Sequence, residues 1–216
     1  SSLSTLVSNL EADILIITNE KDLFYLTGMN LSAGALFATH NKQTLYVDGR
    51  YFESCAKNTP VETKLMKEHP LINFLEDNNF NDSMSFAFDS LSTNYKEFQK
   101  ISTLLKKNNP SHSLVPLSSP TKYLRIIKSP EEQKVIAESC ELPCKGVDFV
   151  CSILNEGITE IEVARELEIF FLKNGADKLA FSPIIAFGNN SSKPHYTPGN
   201  VPLEKNQPIL MDFGTN

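Results

Sequence analysis

The sequence lacks an excess of basic residues, and it lacks any long apolar run. Lys and Arg together number 20 against 26 Asp and Glu, which gives 216 residues a formal net charge of −6 and an isoelectric point of about 5.3. Binding to nucleic acid or to an anionic membrane surface normally requires a basic patch, so this balance disfavours both. No apolar run reaches the roughly 18 residues that a membrane-spanning helix needs. We therefore expect no nucleic-acid partner and no membrane partner.

Features of secreted proteins are also missing. The segment SSLSTLVSNLEADILIITNE (1–20) has no positively charged n-region before its apolar residues. Four cysteines in a chain of this size do not indicate a disulfide framework. A cytoplasmic location is therefore expected.

Three of the cysteines fall on one helical stripe. Cys140, Cys144 and Cys151 are separated by 4 and 7 residues, and at about 100° per residue these steps return to one side of a helix. A metal site would need a fourth ligand and usually a loop geometry. Because reduced cysteine behaves as a small hydrophobic residue, we interpret the three as buried thiols.

Residues 1–127 alternate short apolar runs with polar segments, a pattern typical of an α/β layer domain with a mostly parallel or mixed sheet. Three apolar segments have the composition and periodicity of strands. One amphipathic segment predicts a helix, and a proline-rich segment predicts the end of the domain. The strand segments are 12–18, 35–49 (strand, turn, strand) and 83–90, the helix is 94–107, and the proline-rich segment is 108–122.

The second part, residues 128–216, begins with two predicted helices. Ser129 can cap the first helix with Glu132 as its capping-box partner, and this helix is predicted to run to about residue 154. Thr159 and Glu162 repeat the pattern at the start of the second helix. The predicted buried face of the second helix consists of Ile161, Ala164, Leu167, Ile169, Phe170 and Phe171. Two strand-like segments joined by a polar loop follow, at 181–190 and 207–214.

Few side chains are available for catalysis. The sequence contains four histidines, and none forms the His-x3-His pair of a helical zinc site. It contains no G-x-S-x-G nucleophile motif and no phosphate-binding P-loop. The loop GNNSSKPHY (188–196) lies between two predicted strands, where functional groups usually sit on a rigid scaffold. His195, stiffened by Pro194 and Tyr196, is either a functional histidine or a loop histidine without a role.

Asp212 stands inside the apolar segment ILMDFG (209–214). Strand alternation places it on the same face as Leu210 and Gly214. Burying a carboxylate among apolar neighbours is costly unless a cation or hydrogen bonds compensate, and a metal ion is the usual compensation. The alternative is an aspartate at the strand end that caps the turn at Gly214. The residues alone leave both interpretations open.

Longer motifs carry a resemblance to a known family. In the second part these motifs are SPEEQKVIAESC, EGITEIEVARELEIFFLKNGA, FSPIIAFGNNSSKPHYTPG and ILMDFGTN. Their order and spacing resemble the M24 metallopeptidases, the family of aminopeptidase P, prolidase and methionine aminopeptidase, which have the pita-bread fold. DLFYLTGMN (22–30) and LYVDGRYFESC (45–55) resemble the creatinase-type N-terminal domain, which argues against methionine aminopeptidase.

The resemblance implies a fold class and a function. The fold is expected to be α/β, with a creatinase-like N-terminal domain and its mixed sheet in residues 1–127. Residues 128–216 would form the first half of a pita-bread (α+β) catalytic domain. The implied function is that of an Xaa-Pro aminopeptidase, a metal-dependent exopeptidase that removes the residue before proline from proline-containing peptides. A homodimer is expected.

The resemblance also implies a site. The family holds two divalent metal ions, commonly manganese, with two Asp, one His and two Glu ligands. Asp212 matches the first metal-binding aspartate, and His195 matches the catalytic histidine that hydrogen-bonds the substrate or the tetrahedral intermediate. The remaining ligands are not found in the sequence. We therefore expect a chain truncated within the catalytic domain, inactive by itself and prone to self-association.

Three other functions remain open. An Xaa-Pro dipeptidase (prolidase) would cleave only dipeptides, and the contact to the far end of the substrate would distinguish it. Arg50 is a candidate for that contact, as is Tyr25, but Arg50 could instead pair with Asp48 or Glu53. A metal-free creatinase-like amidinohydrolase and a non-enzymatic pita-bread binding module share the fold, and Asp212 argues against both.

Overall fold

The chain divides into unit 1, Ser1–Ile127, and unit 2, Lys128–Asn216. The computed structural model describes residues 3–216. Among these residues, no helix combines the length and the apolar character that crossing a bilayer requires.

Unit 1 is built around a six-stranded mixed sheet in the order β4-β3-β2-β1-β5-β6. The pairs β1–β2 and β2–β3 are antiparallel, whereas β3–β4, β1–β5 and β5–β6 are parallel. The strands are β1 (Ile14–Ile17), β2 (Ala35–Thr39), β3 (Gln43–Val47), β4 (Glu62–Leu65), β5 (Ser85–Asp89) and β6 (Ser113–Leu117).

Helices cover both faces of this sheet. Because side chains alternate along a strand, Leu15 and Ile17 pack into one apolar core and Ile14 and Ile16 into the other. A strand covered on both faces has no polar side, which explains why β1 is apolar and buried throughout. The helices are α1 (Leu3–Ser8), α2 (Glu20–Thr27), α3 (Phe52–Asn58), α4 (Pro70–Asn78), α5 (Tyr95–Asn108) and α6 (Lys122–Ile126).

The segment 108–122, predicted to mark the approach to a domain boundary, lies close to the end of unit 1 at Ile127 and also contains β6. Within residues 3–216 this strand pairs with β5 alone, and its Pro116 lies opposite Phe88. Proline has no N–H to donate, so it is tolerated in an edge strand but not in a central one. The strand was missed because three prolines in 15 residues masked it.

Unit 2 follows the predicted order of helix, helix, strand, loop and strand. The helices α7 (Pro130–Ile153) and α8 (Glu160–Lys173) both begin with the predicted capping boxes. The strands β7 (Ile184–Phe187) and β8 (Ile209–Asp212) pair antiparallel, and a 3-10 helix, Gly188–Ser192, follows β7. One apolar core joins these elements, with Val150, Val163, Leu167, Phe171, Ile185 and Phe187 among its members.

Gly146 lets α7 approach α8 closely. A β-carbon added at this glycine would lie 2.5 Å from Cζ and 2.7 Å from Cε1 of Phe171. Phe171 is fully buried, so its ring has little freedom to move away. The absence of a side chain at Gly146 therefore sets the distance between the two helices.

Two predictions of burial in unit 2 were wrong. On α8, Ile169 is 43% exposed, whereas Glu160 is completely buried. On α7, the cysteines interpreted as buried thiols are exposed at all three positions. The buried side of α7 carries Gly146 and Val150, and at about 100° per residue each of the three cysteines points about 100° or more away from it. The three exposed cysteines are Cys140, Cys144 and Cys151.

Candidate functional site

Residue Glu160 organises the polar loop that follows β7. It is the first residue of α8, and its side chain is completely buried. Oε1 accepts hydrogen bonds from the backbone N–H of Phe187 at 2.8 Å and from Nδ2 of Asn190 at 2.9 Å. Oε2 accepts from the hydroxyl of Tyr196 at 2.7 Å and from the backbone N–H of Gly199 at 3.1 Å. One carboxylate thus fixes four points of residues 187–199.

These contacts keep the Glu160 carboxylate ionised. Burial by itself raises the pKa of a carboxyl group, but the four hydrogen bonds outweigh burial and hold the pKa of Glu160 below its usual range. The same contact raises the pKa of the Tyr196 phenol, because the hydroxyl is held as a donor to the carboxylate. The position of Glu160 in the first turn of α8 adds a favourable interaction with the helix dipole.

Backbone hydrogen bonds tie the end of the same loop to the start of α8. The N–H of Ile161 donates to the carbonyl of Gly199 at 3.0 Å, and the N–H of Glu160 donates to Val201 at 3.2 Å. Leu203 donates to the carbonyl of Ile158 at 2.8 Å. Residues 199–203 therefore lie along the N-terminus of α8.

The predicted catalytic residue, His195, lies in a turn between the anchored positions. Its side chain is exposed, and its φ of 52° is in the left-handed region. A residue other than glycine costs roughly 1–2 kcal/mol in that region, although histidine is among the types found there more often. Its neighbour Lys193 donates from Nζ to Oδ1 of Asn190 at 2.7 Å and lies over the Tyr196 ring at 5.5 Å. Both flanks of His195 are thus held while its imidazole faces solvent.

The predicted metal ligand, Asp212, ends β8 and pairs with Ile184 of β7. The predicted alternation holds, because Met211 packs against the core of unit 2 while Leu210 and Asp212 are exposed. The argument from a buried carboxylate therefore does not apply to Asp212. Its strand has β7 as its single neighbour within the described part of the chain, which leaves the other edge of β8 open.

The described residues do not complete a metal site. Within residues 3–216, no group of three or more His, Cys, Asp and Glu side chains is placed to hold a metal ion. A catalytic zinc ion takes three protein ligands and a calcium ion takes about six to eight oxygens, whereas Asp212 supplies one carboxylate. The donor set present in this chain does not fit a metal centre by itself.

Other candidates from the sequence have local partners. Arg50 forms a two-pronged pair with Asp48, with Nη2–Oδ2 at 2.7 Å and Nε–Oδ2 at 3.1 Å, which confirms the local-pair alternative. The hydroxyl of Tyr25 donates to the carbonyl of Leu124 at 2.8 Å. The other histidines also have structural contacts, since His40 bonds Ser8, His69 caps α4 and His112 accepts from the backbone of Met84.

The sequence predictions missed Glu160. Glu162 drew attention as the capping-box residue, and Glu160 looked like an ordinary acidic residue of a first helical turn. Its side-chain partners lie 27 to 39 residues away along the chain, so no local pattern marks it. A hint was present in the loop itself, where Asn190, Tyr196 and Gly199 offer several donors around a single histidine.

Comparisons with known proteins match both units. A model of the creatinase/prolidase N-terminal domain matches residues 1–127, and a model of metallopeptidase family M24 matches residues 134–216. The Xaa-Pro dipeptidase of Pyrococcus horikoshii is 29% identical over 210 residues, which are 94% of this chain and 55% of that protein.

Solved structures agree with the fold. The Xaa-Pro dipeptidase of Bacillus anthracis superposes with a TM-score of 0.86 at 23% identity, covering 99% of this chain and 59% of that one. The X-Pro aminopeptidase of Thermotoga maritima has a TM-score of 0.82 at 23% identity, covering 98% and 60%. The chain spans 55–59% of the length of the curated relatives it matches. These findings confirm the predicted fold class. The chain belongs to the creatinase/prolidase family by its N-terminal domain, residues 1–127, and its residues 134–216 match metallopeptidase family M24.

Proposed function

We propose that this chain is part of an Xaa-Pro aminopeptidase, a metal-dependent exopeptidase that removes an N-terminal residue preceding proline. The observation that carries the proposal is the order of the two matches, a creatinase/prolidase N-terminal domain at 1–127 followed by an M24 domain at 134–216. Proteins named as Xaa-Pro enzymes match 94–99% of this chain. The substrate is a proline-containing peptide.

An Xaa-Pro dipeptidase is the second candidate. Several relatives and solved structures similar to this chain bear that name, including the proteins of Pyrococcus horikoshii and Bacillus anthracis. Arg50, one candidate for binding the far end of the substrate, pairs with Asp48 and does not distinguish the two activities. The choice between the two activities therefore depends on substrate length.

His195 is proposed as the catalytic residue of this chain. Its exposed imidazole, set between two anchored flanks, is suited to donate a hydrogen bond to the scissile carbonyl oxygen as negative charge develops there. Asp212 is proposed as a metal ligand on the exposed face of β8. The family implies divalent metal ions, and we propose that the full-length enzyme binds two manganese ions. Such ions would polarise a carbonyl group and lower the pKa of bound water. Because the described donors do not complete that centre, no catalytic step is assigned to it. The cytoplasmic location and the homodimer stay predictions.

The test is hydrolysis by the full-length protein produced from its own gene and supplied with manganese. A tripeptide with proline in second position should lose its first residue, and an Xaa-Pro dipeptide should be cleaved more slowly. Cleavage confined to the dipeptide would favour the dipeptidase, and cleavage of neither peptide would refute both. Residues 1–216 alone should show no turnover, because one carboxylate does not hold the metal ions.

A further inference from the structure

Glu160 is a buried carboxylate without a cation. None of the ion pairs within residues 3–216 involves it, although its side chain has no exposed surface. A charge buried in this way is costly unless hydrogen bonds compensate. Here four neutral donors fill its two oxygens at 2.7–3.1 Å. Such a complete set of donors indicates a defined structural task.

That task is not capping of its own helix. The N-cap of α8 is Thr159, whose hydroxyl accepts from the N–H of Glu162, while Oε2 of Glu162 accepts from the N–H of Thr159 at 2.8 Å. The capping box is complete without Glu160. Both oxygens of Glu160 are directed at the loop that follows β7.

The four donors bracket His195. Phe187 and Asn190 precede it in the chain, and Tyr196 and Gly199 follow it. Nδ2 of Asn190 also donates to the Tyr196 hydroxyl at 2.8 Å, which links the two sides of the loop. The loop is therefore closed around one carboxylate.

His195 itself needs such support. Its backbone has a φ of 52°, and a left-handed residue persists only where the surrounding structure determines it. Its exposed side chain does not anchor the turn. The fixed points nearest to it are Tyr196, the next residue, and Asn190.

We propose that Glu160 is a positioning residue, which closes residues 187–199 and holds His195 in its left-handed turn for peptide hydrolysis. This inference rests on the proposed function in one respect, the catalytic role of His195. The closure of the loop itself is independent of any activity.

The experiment uses the full-length enzyme with manganese and compares Glu160→Gln with Glu162→Gln. The control makes the same chemical change in the same helical turn, but its carboxylate accepts hydrogen bonds from Thr159 and none from residues 187–199 within the described part of the chain. Glutamine keeps the size of Glu160 but retains one acceptor oxygen, so two of the four bonds are lost. Tyr196→Phe leaves three of the four donors to Glu160 in place, although it also removes the hydrogen bond from Asn190 to the Tyr196 hydroxyl. It covers the case in which Glu160→Gln does not fold.

Two measurements are made on each variant. Hydrogen exchange followed by mass spectrometry should show faster exchange for peptides from residues 186–200 in Glu160→Gln and Tyr196→Phe, with wild-type exchange in Glu162→Gln. A displacement of about 1 Å in a catalytic group can lower a rate about 100-fold, so kcat of Glu160→Gln should fall by that order with a smaller change in KM. Tyr196→Phe should lie between it and wild type.

A double-mutant cycle separates positioning from general stability. In the His195→Asn background, which keeps a residue that tolerates the left-handed region, Glu160→Gln should lower kcat little further. An equal loss with and without the imidazole would overturn the proposal, as would a folded Glu160→Gln enzyme with wild-type kcat. If the wild-type enzyme cleaves no Xaa-Pro peptide, the proposed function fails by itself. Exchange in residues 186–200 then decides the inference, and unchanged exchange in Glu160→Gln overturns it.

Discussion

Replacing Gly146 by alanine perturbs the packing of α7 against α8 at one defined point. The new methyl group would lie 2.5 Å from Cζ and 2.7 Å from Cε1 of Phe171, and 3.3 Å from Cδ1 of Leu167. The Phe171 ring is fully buried and packs against Phe213, with ring centroids 5.6 Å apart. The ring therefore has no free space into which it can turn, and the helices must separate.

Two opposing effects set the size of the change. Alanine is better than glycine in a helix interior by about 1 kcal/mol. Overpacking a filled core costs about 1–3 kcal/mol, and two contacts below 3 Å place Gly146 at the upper end of that range. We expect Gly146→Ala to lower the free energy of unfolding of unit 2 by about 2 kcal/mol.

The sign should reverse when the ring is removed. In a Phe171→Leu background the two close ring atoms are absent, so the methyl group of Gly146→Ala has room and partly fills the cavity. The helix-propensity term then remains, and the same substitution should stabilise unit 2 by about 1 kcal/mol. This reversal distinguishes a steric conflict with Phe171 from any general effect on α7.

The assay must report on unit 2 separately. The sequence contains no tryptophan, and Tyr196 is the single tyrosine in residues 128–216, so intrinsic fluorescence is a poor probe. Hydrogen exchange of the slowest amides of α8 gives the free energy of opening directly. A stabilisation of about 1 kcal/mol by Gly146→Ala in the wild-type background would refute the reasoning, because helix propensity alone would then explain the result.

Three further substitutions test other parts of the structure. Because folding lowers the pKa of Glu160, its ionised carboxylate stabilises unit 2 above the ordinary glutamate pKa of about 4.3, and this stabilisation is lost as the pH falls through the folded-state pKa. Protection of unit 2 against hydrogen exchange should therefore decrease in that acidic range. The decrease should be smaller in Glu160→Gln, which has no carboxylate to titrate. Asp22 is buried, and its Oδ1 lies 3.1 Å from Nε of Arg125 without the geometry of a hydrogen bond. Arg125→Met leaves this carboxylate without its cation and should lower the free energy of unfolding of unit 1 by about 2 kcal/mol, measured by urea unfolding. The loss is smaller than for a fully buried pair because the arginine is partly exposed. His195→Gly should stabilise unit 2 by about 1 kcal/mol, because glycine adopts the left-handed backbone conformation of this residue without strain. It should also lower kcat. A loss of stability would show that the backbone of His195 is not strained.

Much of the fold could be predicted because local chemistry decides it. The four apolar residues of β1 indicate a strand covered on both faces, and both capping boxes mark their helix starts correctly. The strand β6 was missed because tolerance of Pro116 depends on an edge position that only the assembled sheet defines. Exposure was harder to predict than secondary structure, since the cysteines of α7 have the pattern of a buried stripe but lie away from the core.

The residues of the candidate site also differ in how well the sequence predicts them. His195 and Asp212 stand out in the sequence because a histidine in a polar loop and an acid in an apolar strand are locally unusual. Glu160 does not stand out, because its meaning comes from donors that reach it through the folding of β7 and the following loop. A residue whose partners are all distant in sequence and neutral in charge leaves no periodicity, no motif and no charge pattern to read.

Helix α8 therefore joins two parts of unit 2 that the sequence presents as separate. One end of this helix is set by the approach of Phe171 to Gly146, and the other carries the carboxylate that closes the His195 loop. A helix is stiff over 14 residues, so a displacement at Phe171 is transmitted to Glu160 rather than absorbed between them. Gly146→Ala should accordingly speed hydrogen exchange in residues 186–200 as well as in α8, although the atoms nearest to the new methyl group all belong to α8. Faster exchange limited to α8 would show that the loop holds its geometry independently of where the helix lies.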